Sequence, residues 1–268
     1  MKAYKKILVA VDGSEASLNA LTEAVRLSYW VRGRVLVISV VPPYEGDLRS
    51  GFAGNIKTLL REPCEKVLGK IKETSEEIGA AVEAVCKEGE PFEKITEFAE
   101  TEGCDLIVTG IEEKHSLHRA LIRGVTEKLA EHGKKDVLII PNDTQIDWNR
   151  ILIMADGSQS GRISAIRAIE IAKTYGSELF VASVSQKRSV PAKQKPEEYL
   201  REIESLSSGA SVRFSVKAVN NVKEISNLAA EHEADLILIG FSARKSIGKP
   251  IASKIIYSSP CPVLIVKK

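Results

Sequence analysis

Short apolar runs and amphipathic stretches alternate along the chain. The runs Ile7–Val11 (ILVAV), Val35–Val41 (VLVISVV), Ala81–Cys86, Cys104–Gly110 (CDLIVTG) and Val137–Ile140 are bounded by polar or turn-forming residues, the pattern of strands buried on both faces. Between them, Glu15–Val31, Asn55–Ile78, Gly89–Glu100 and about Leu117–His132 carry apolar residues near helical spacing. Each is predicted to lay one face on a sheet. Leu18, Leu21, Val25 and Tyr29 mark that face in the first helix, and Phe92, Ile95, Phe98 and Ala99 in the third. Pro63 is expected to bound or kink the second. Strands alternating with helices at this spacing imply parallel pairing through right-handed crossovers.

The pattern then starts again. KILVAVDGSEAS at Lys6–Ser17 returns as RILIMADGSQS at Arg150–Ser160. After it come a helix at Ile163–Thr174, strands at Leu179–Val184 and Ser211–Ala218, a helix at Val222–His232, and strands at Asp235–Gly240 and Val263–Val266. This duplication gives two domains, 1–143 and 148–268, with the join in the polar segment Asn142–Asn149. The connections Tyr44–Gly54 and Pro191–Pro196 hold no apolar cluster able to pack and are predicted to be mobile. Val137–Ile140 and Val263–Val266 are short apolar edge-strand candidates, and such edges invite a partner.

Composition narrows the function classes. In 268 residues, 38 basic against 36 acidic side chains leave a net charge of +2, without the basic footprint of a nucleic-acid binder. No apolar run approaches the roughly 20 residues of a membrane span. MKAYKK leads straight into the first strand, so no signal peptide and a cytoplasmic location are expected. Cys64, Cys86, Cys104 and Cys261 form no C-x-x-C pair and show no metal-ligand spacing, so they are expected to be scattered thiols. His115 and His118 lack the Cys or His neighbours of a metal site and are expected on a solvated loop.

In an open parallel sheet the ligand crevice lies beyond the carboxyl ends of the strands, where strand order reverses. If the first and fourth strands are neighbours there, Asp12 and Gly110 face one another across it. A carboxylate so placed can accept from a ribose hydroxyl, and a glycine lets backbone come close to a ligand. The competing assignment for Asp12 and Asp156 is turn and helix N-cap chemistry, which Asp-Gly-Ser explains without any ligand.

The succession of I-L-V-A-V-D-G-S, G-E-P-F-E-K-I, D-L-I-V-T-G, G-V-T-E-K-L-A and C-P-V-L-I-V resembles the universal stress protein family, about once per half and over nearly the whole chain. The resemblance implies an α/β fold of two tandem Rossmann-like domains, each an open five-stranded parallel sheet with helices on both faces. It also implies an adenine nucleotide site, with the first-strand Asp near ribose, the end of the second strand at adenine and a loop after the fourth strand at the phosphates. Carried over by position, the first half offers Ala10, Val11, Asp12, Val40, Val41 and Gly110, and the second Ala155, Asp156, Val184 and Gly240.

The family's nucleotide-binding members carry G-x2-G-x9-G-[S/T] from the fourth strand into the next helix, and neither half keeps it. Glu113 stands where the second Gly belongs, and Arg123-Gly124 where Gly-Ser belongs. A carboxylate beside a triphosphate adds like-charge repulsion, so AMP is favoured over ATP. His115 and Arg123 bring positive charge to the same region, and Gly124, Val125 and Thr126 offer backbone and hydroxyl donors. In the second half Lys249-Pro250 falls at the Gly-Ser positions, and Pro250 removes a donor. Ser242, Lys245, Ser246 and Lys249 are left there to hold one phosphate by side chains, and a remodelled loop without that job is the favoured alternative.

Three functions follow from the resemblance and its departures. The first is a stress-response regulatory module binding an adenine nucleotide chiefly in the first domain, with no metal. The second is a nucleotide-free scaffold whose last strands pair the halves as a pseudo-dimer, with the chain dimerising further. Weak ATP hydrolysis ranks last, since no second carboxylate stands as a metal ligand and no Ser–His or Cys–His spacing is present.

Overall fold

A computed structural model describes residues 4–41, 56–112, 119–155, 158–184, 201, 203, 205, 214–219, 222–241 and 249–267. The connections Tyr44–Gly54 and Pro191–Pro196 lie outside the described residues. In chain order the elements of the first half are β1 (Lys6–Ala10), α1 (Glu15–Val31), β2 (Arg34–Val41), α2 (Ile56–Glu77), β3 (Glu83–Glu88), α3 (Pro91–Thr101), β4 (Leu106–Ile111), α4 (Arg119–His132) and β5 (Asp136–Pro141). Those of the second are β6 (Arg150–Ala155), α5 (Gln159–Tyr175), β7 (Glu178–Val184), β8 (Phe214–Val219), α6 (Val222–Glu231), β9 (Leu236–Gly240), α7 (Lys249–Ser258) and β10 (Val263–Val266).

Among the described residues the strands form one sheet in the order β3-β2-β1-β4-β5-β10-β9-β6-β7-β8. Pairing within each half is parallel. The halves meet where β5 and β10 run antiparallel, with Leu264 opposite Leu138 and Val263 opposite Ile139. Successive strand residues point to opposite faces, so Ile7, Val9 and Val11 pack with α1, α2 and α5. Leu8 packs on the other side with residues of α3, α4, α6 and α7. Each of these two cores runs unbroken across both halves.

The duplication reaches the hydrogen bonds. Ser14 caps α1 by accepting from Ser17 N at 3.2 Å, and Ser158 caps α5 by accepting from Gly161 N at 3.0 Å. Asp105, just before β4, accepts from Lys6 N at 3.1 Å, and Asp235, just before β9, from Arg150 N at 2.8 Å. In each half the same two aspartate and serine positions fix where the first strand begins and where the first helix starts.

Three expectations are corrected. Tyr29 is exposed, and Leu27, Ser28 and Val31 are the buried residues at the end of α1. α2 continues through Pro63, giving up one i to i−4 hydrogen bond. The cysteines are not all scattered thiols: Cys64 of α2 and Cys86 of β3 form a disulfide, their Cα atoms 5.9 Å apart. α2 lies over β2 and β3, so packing joins two cysteines that no local spacing relates. Cys104 and Cys261 are buried and free.

Around the β5–β10 junction the linker acts as a strap. Ile146 N donates to the buried Glu23 at 2.6 Å, and Asn19 donates to Thr144 O at 3.1 Å. Trp148 stacks on Tyr175 at 5.9 Å and meets Trp30 edge-on at 6.4 Å, so its indole bridges α1 and α5. A buried polar cluster closes one end of the junction. Tyr4 donates to Asp136 at 2.7 Å, Arg167 reaches both Tyr4 and Asp136, and Lys267 N donates to Asp136 at 2.8 Å.

The Lys267 ammonium donates to Ala130 O and lies 4.6 Å over the Phe241 ring. Burial pulls its titration from 10.5 down to about 8. Between those values the unfolded chain binds more protons at this group than the folded one, so its contribution to stability rises with pH. Compared with Lys267→Met, wild type should gain about 2 kcal/mol between about pH 7 and about pH 10. Urea unfolding of both proteins at both pH values checks this; a constant difference would contradict it.

Candidate functional site

The strand order reverses between β1 and β4, because β1 has β2 on one side and β4 on the other. Ala10 pairs with Ile38 and with Thr109. The ends of β1, β2 and β4, with Ala10, Val11, Asp12, Val40, Val41 and Gly110, therefore meet at one edge, where an open parallel sheet forms its crevice. Val11 is buried and its N–H donates to Ile38 O at 2.9 Å. Asp12 is exposed.

The carboxylate of Asp12 is oriented by its own loop. Its Oδ1 accepts from Ser14 N at 3.0 Å and from Ser14 Oγ at 2.6 Å, while its backbone N–H donates to Ser17 Oγ at 3.3 Å. Ser14, not Asp12, is the N-cap, and Asp12 holds that cap in place. Among the described residues nothing pairs with Asp12 Oδ2, which leaves one oxygen with open acceptor capacity at the crevice.

Gly13 follows in the left-handed region at φ +83, where glycine carries no steric penalty. Its carbonyl accepts from Lys70 Nζ at 2.7 Å, and a Cβ on it would sit 3.2 Å from Val67. Lys70 and Val67, one turn apart on α2, are thus neighbours of the site that sequence reasoning missed. Their i, i+3 spacing was the available signal, but it marks only a shared helix face.

At Gly110 the close approach is made by the protein itself. A Cβ there would lie 2.1 Å from Ala16 O and 2.7 Å from Ser17 N, both in the first turn of α1. Gly240 repeats this, with Ser160 O at 1.9 Å. Both glycines admit a helix N-terminus against the fourth strand of their domain, which accounts for them by packing.

Three of the residues expected at the phosphates fall within the helix expected at about Leu117–His132. Gly124, Val125 and Thr126 lie well inside α4, which begins at Arg119, and amides there are committed to carbonyls one turn back. Thr126 is buried, its Oγ1 3.4 Å from Thr109 Oγ1. His115 lies outside the described residues, as does the side chain of Arg123.

In the second half the ends of β6, β7 and β9 are brought together in the same way, with Ala155 paired to Ser183 and Met154 to Ile239. Val184 closes β7 and Gly240 closes β9. Asp156, Ser242, Lys245 and Ser246 lie outside the described residues, as does the side chain of Lys249.

Burial pushes the free thiols of Cys104 and Cys261 up to about 11 and about 12, so neither supplies a thiolate near neutral pH. Among the described residues no group of three or more His, Cys, Asp or Glu could hold a metal ion, and no helix is long and apolar enough to cross a membrane.

Residues 3–141 and 147–267 each match the model of the Universal stress protein family. A universal stress protein from Methanocaldococcus jannaschii is 35% identical over 139 residues, covering 51% of this chain and 82% of that protein. Over the whole chain the fold is similar to the crystal structure of a universal stress protein from Archaeoglobus fulgidus, with a TM-score of 0.77, 20% identity, and coverage of 100% of this chain and 99% of that one. A putative universal stress protein from Pseudomonas aeruginosa superposes with a TM-score of 0.65 at 18% identity, covering 99% of this chain and 94% of that one. These two likenesses show the fold, and the double family match shows the ancestry: the chain belongs to the universal stress protein family, as a tandem of two of its domains.

Proposed function

We propose that this chain is a stress-response regulatory module that binds an adenine nucleotide in its first domain, at the sheet edge formed by β1, β2 and β4. Domains at 1–143 and 148–268, a cytoplasmic location and the association of two chains belong to the same reading. The observation that carries it is Asp12, whose carboxylate is oriented by Ser14 while Oδ2 keeps its acceptor capacity. An oxygen held there would accept from a ribose hydroxyl, with Val40 and Val41, at the end of β2, offered to the base. AMP is favoured over ATP, since Glu113 stands in the sequence at a glycine position of the family's phosphate motif and the amides of Gly124 and Val125 are engaged within α4.

Calorimetric titration with AMP, ADP and ATP tests the reading. AMP should bind most tightly, and at a hundredfold excess over Kd it should stabilise the fold by about 2.7 kcal/mol. Asp12→Ala removes a charged acceptor and should weaken AMP by roughly 10- to 100-fold. Indifference to all three nucleotides would sink the proposal. It would favour the nucleotide-free scaffold, a reading supported by the packing that accounts for Gly110 and Gly240 without a ligand.

A further inference from the structure

We infer that the Cys64–Cys86 disulfide is a redox latch on the loop that carries Asp12, so that its reduction weakens nucleotide binding in the first domain; this rests on the proposed function. Cys86 pairs with Ser39, one step beyond Ile38, and Ile38 pairs with Ala10. The bridge therefore sits on the edge strand level with the end of β1. From Cys64 the helix crosses toward β1: one turn on, Val67 packs against Gly13, and one turn further Lys70 donates to Gly13 O at 2.7 Å. Gly13 is the residue after Asp12. A single rigid helix thus connects the disulfide to the loop of the proposed ligand carboxylate.

Among the residues of α2 whose side chains are described, burial is uneven. Ile71 and Ser75 are buried, which keeps the C-terminal half docked whatever the state of the bridge. Pro63, Glu65 and Lys66 are exposed, so Cys64 is where that stretch is tied to the sheet. Without the bridge the span between Cys64 and Lys70 depends on the partly buried Val67 and Leu68. Segments with few buried contacts are the ones that open locally.

Both cysteines are only partly buried, so a thiol can reach them. The step is thiol–disulfide exchange with a dithiol. One thiolate of the dithiol attacks a bridge sulfur, and the second resolves the mixed disulfide. The dithiol is oxidised to its own disulfide, while Cys64 and Cys86 gain two electrons and two protons. In a reducing compartment a disulfide is commonly transient and redox-sensing, which suits a regulatory module. The remaining cysteines, Cys104 and Cys261, are free thiols and consume no reductant.

The test compares the full chain oxidised, reduced with dithiothreitol, and as the variants Cys64→Ser and Cys86→Ser, each with two readouts. Amide exchange without nucleotide should quicken about tenfold between residues 64 and 70 on reduction and in both variants. AMP should bind about tenfold more weakly in all three bridge-free forms, and dithiothreitol should change neither variant further. Unchanged exchange in α2, or an AMP affinity indifferent to the bridge, overturns the inference. Faster exchange with no nucleotide bound by any form would overturn the functional reading and with it the linkage, while the effect of the bridge on α2 would stand as measured.

Discussion

Aspartate in place of Leu264 should break the chain into two loosely connected halves. Leu264 is buried at the centre of β10, directly opposite Leu138 of β5, in the core that runs through both domains. Losing a buried leucine side chain costs about 2–5 kcal/mol, and an unpaired carboxylate in its place adds several more. The sum is comparable to the whole stability of an ordinary domain, about 5–15 kcal/mol. The least costly response is to give up the β5–β10 pairing, which exposes the carboxylate and leaves each parallel sheet standing. Small-angle scattering should report a larger radius of gyration, and denaturant unfolding should split from one transition into two. Leu138→Asp faces the same position from the other side and should do the same. A variant as compact and as cooperative as wild type would show that the strap at Ile146 and Trp148, with the Asp136 cluster, holds the halves without these leucines.

How much of this was legible in the sequence depends on what kind of contact is involved. Strands buried on both faces announce themselves as unbroken apolar runs, so β1, β2, β4, β6, β9 and β10 fall where the pattern puts them. β3 is different. As an edge strand it is only partly buried, and with a weaker apolar signal its expected span of Ala81–Cys86 gives way to Glu83–Glu88. The meeting of β1 and β4 entered only as a condition, since alternating strands and helices imply parallel pairing without fixing strand order; the pairing that brings Asp12, Val41 and Gly110 to one edge is seen in the sheet itself. Contacts made by tertiary packing left no trace: Cys64 and Cys86, Lys70 and Gly13, and the cluster of Tyr4, Asp136, Arg167 and Lys267 join residues whose spacing obeys no local period. Residues 124–126 are a different case. The expected helix at about Leu117–His132 already enclosed this Gly-Val-Thr triplet, and α4 from Arg119 encloses it too, so reading its amides as donors conflicted with the helix the pattern itself predicted.

Gly110→Ala should destabilise the protein by about 3 kcal/mol or more, and Gly240→Ala by as much. Neither glycine has a positive φ, so the constraint is space. At both positions the new Cβ would fall about 2 Å from a carbonyl oxygen, that of Ala16 or Ser160. These oxygens belong to the capped first turn of a helix and cannot move aside without dragging Ser14 or Ser158 and the cap with them. Gly124 makes the contrasting case, since a Cβ there would meet nothing within 4 Å. In a helix interior Gly124→Ala should stabilise by about 0.5–1 kcal/mol, and because the amide at this position is engaged within α4 it should leave AMP affinity unchanged. Urea unfolding of the three variants at constant m-value separates these outcomes. If Gly110→Ala folded as well as wild type, helix packing would no longer account for the glycine, and a ligand's close approach would be the better explanation of it. A large loss at Gly110 and Gly240 alike would instead mean that the ends of β4 and β9 owe their glycines to a demand the fold makes in both domains, one that a nucleotide site shares and does not create.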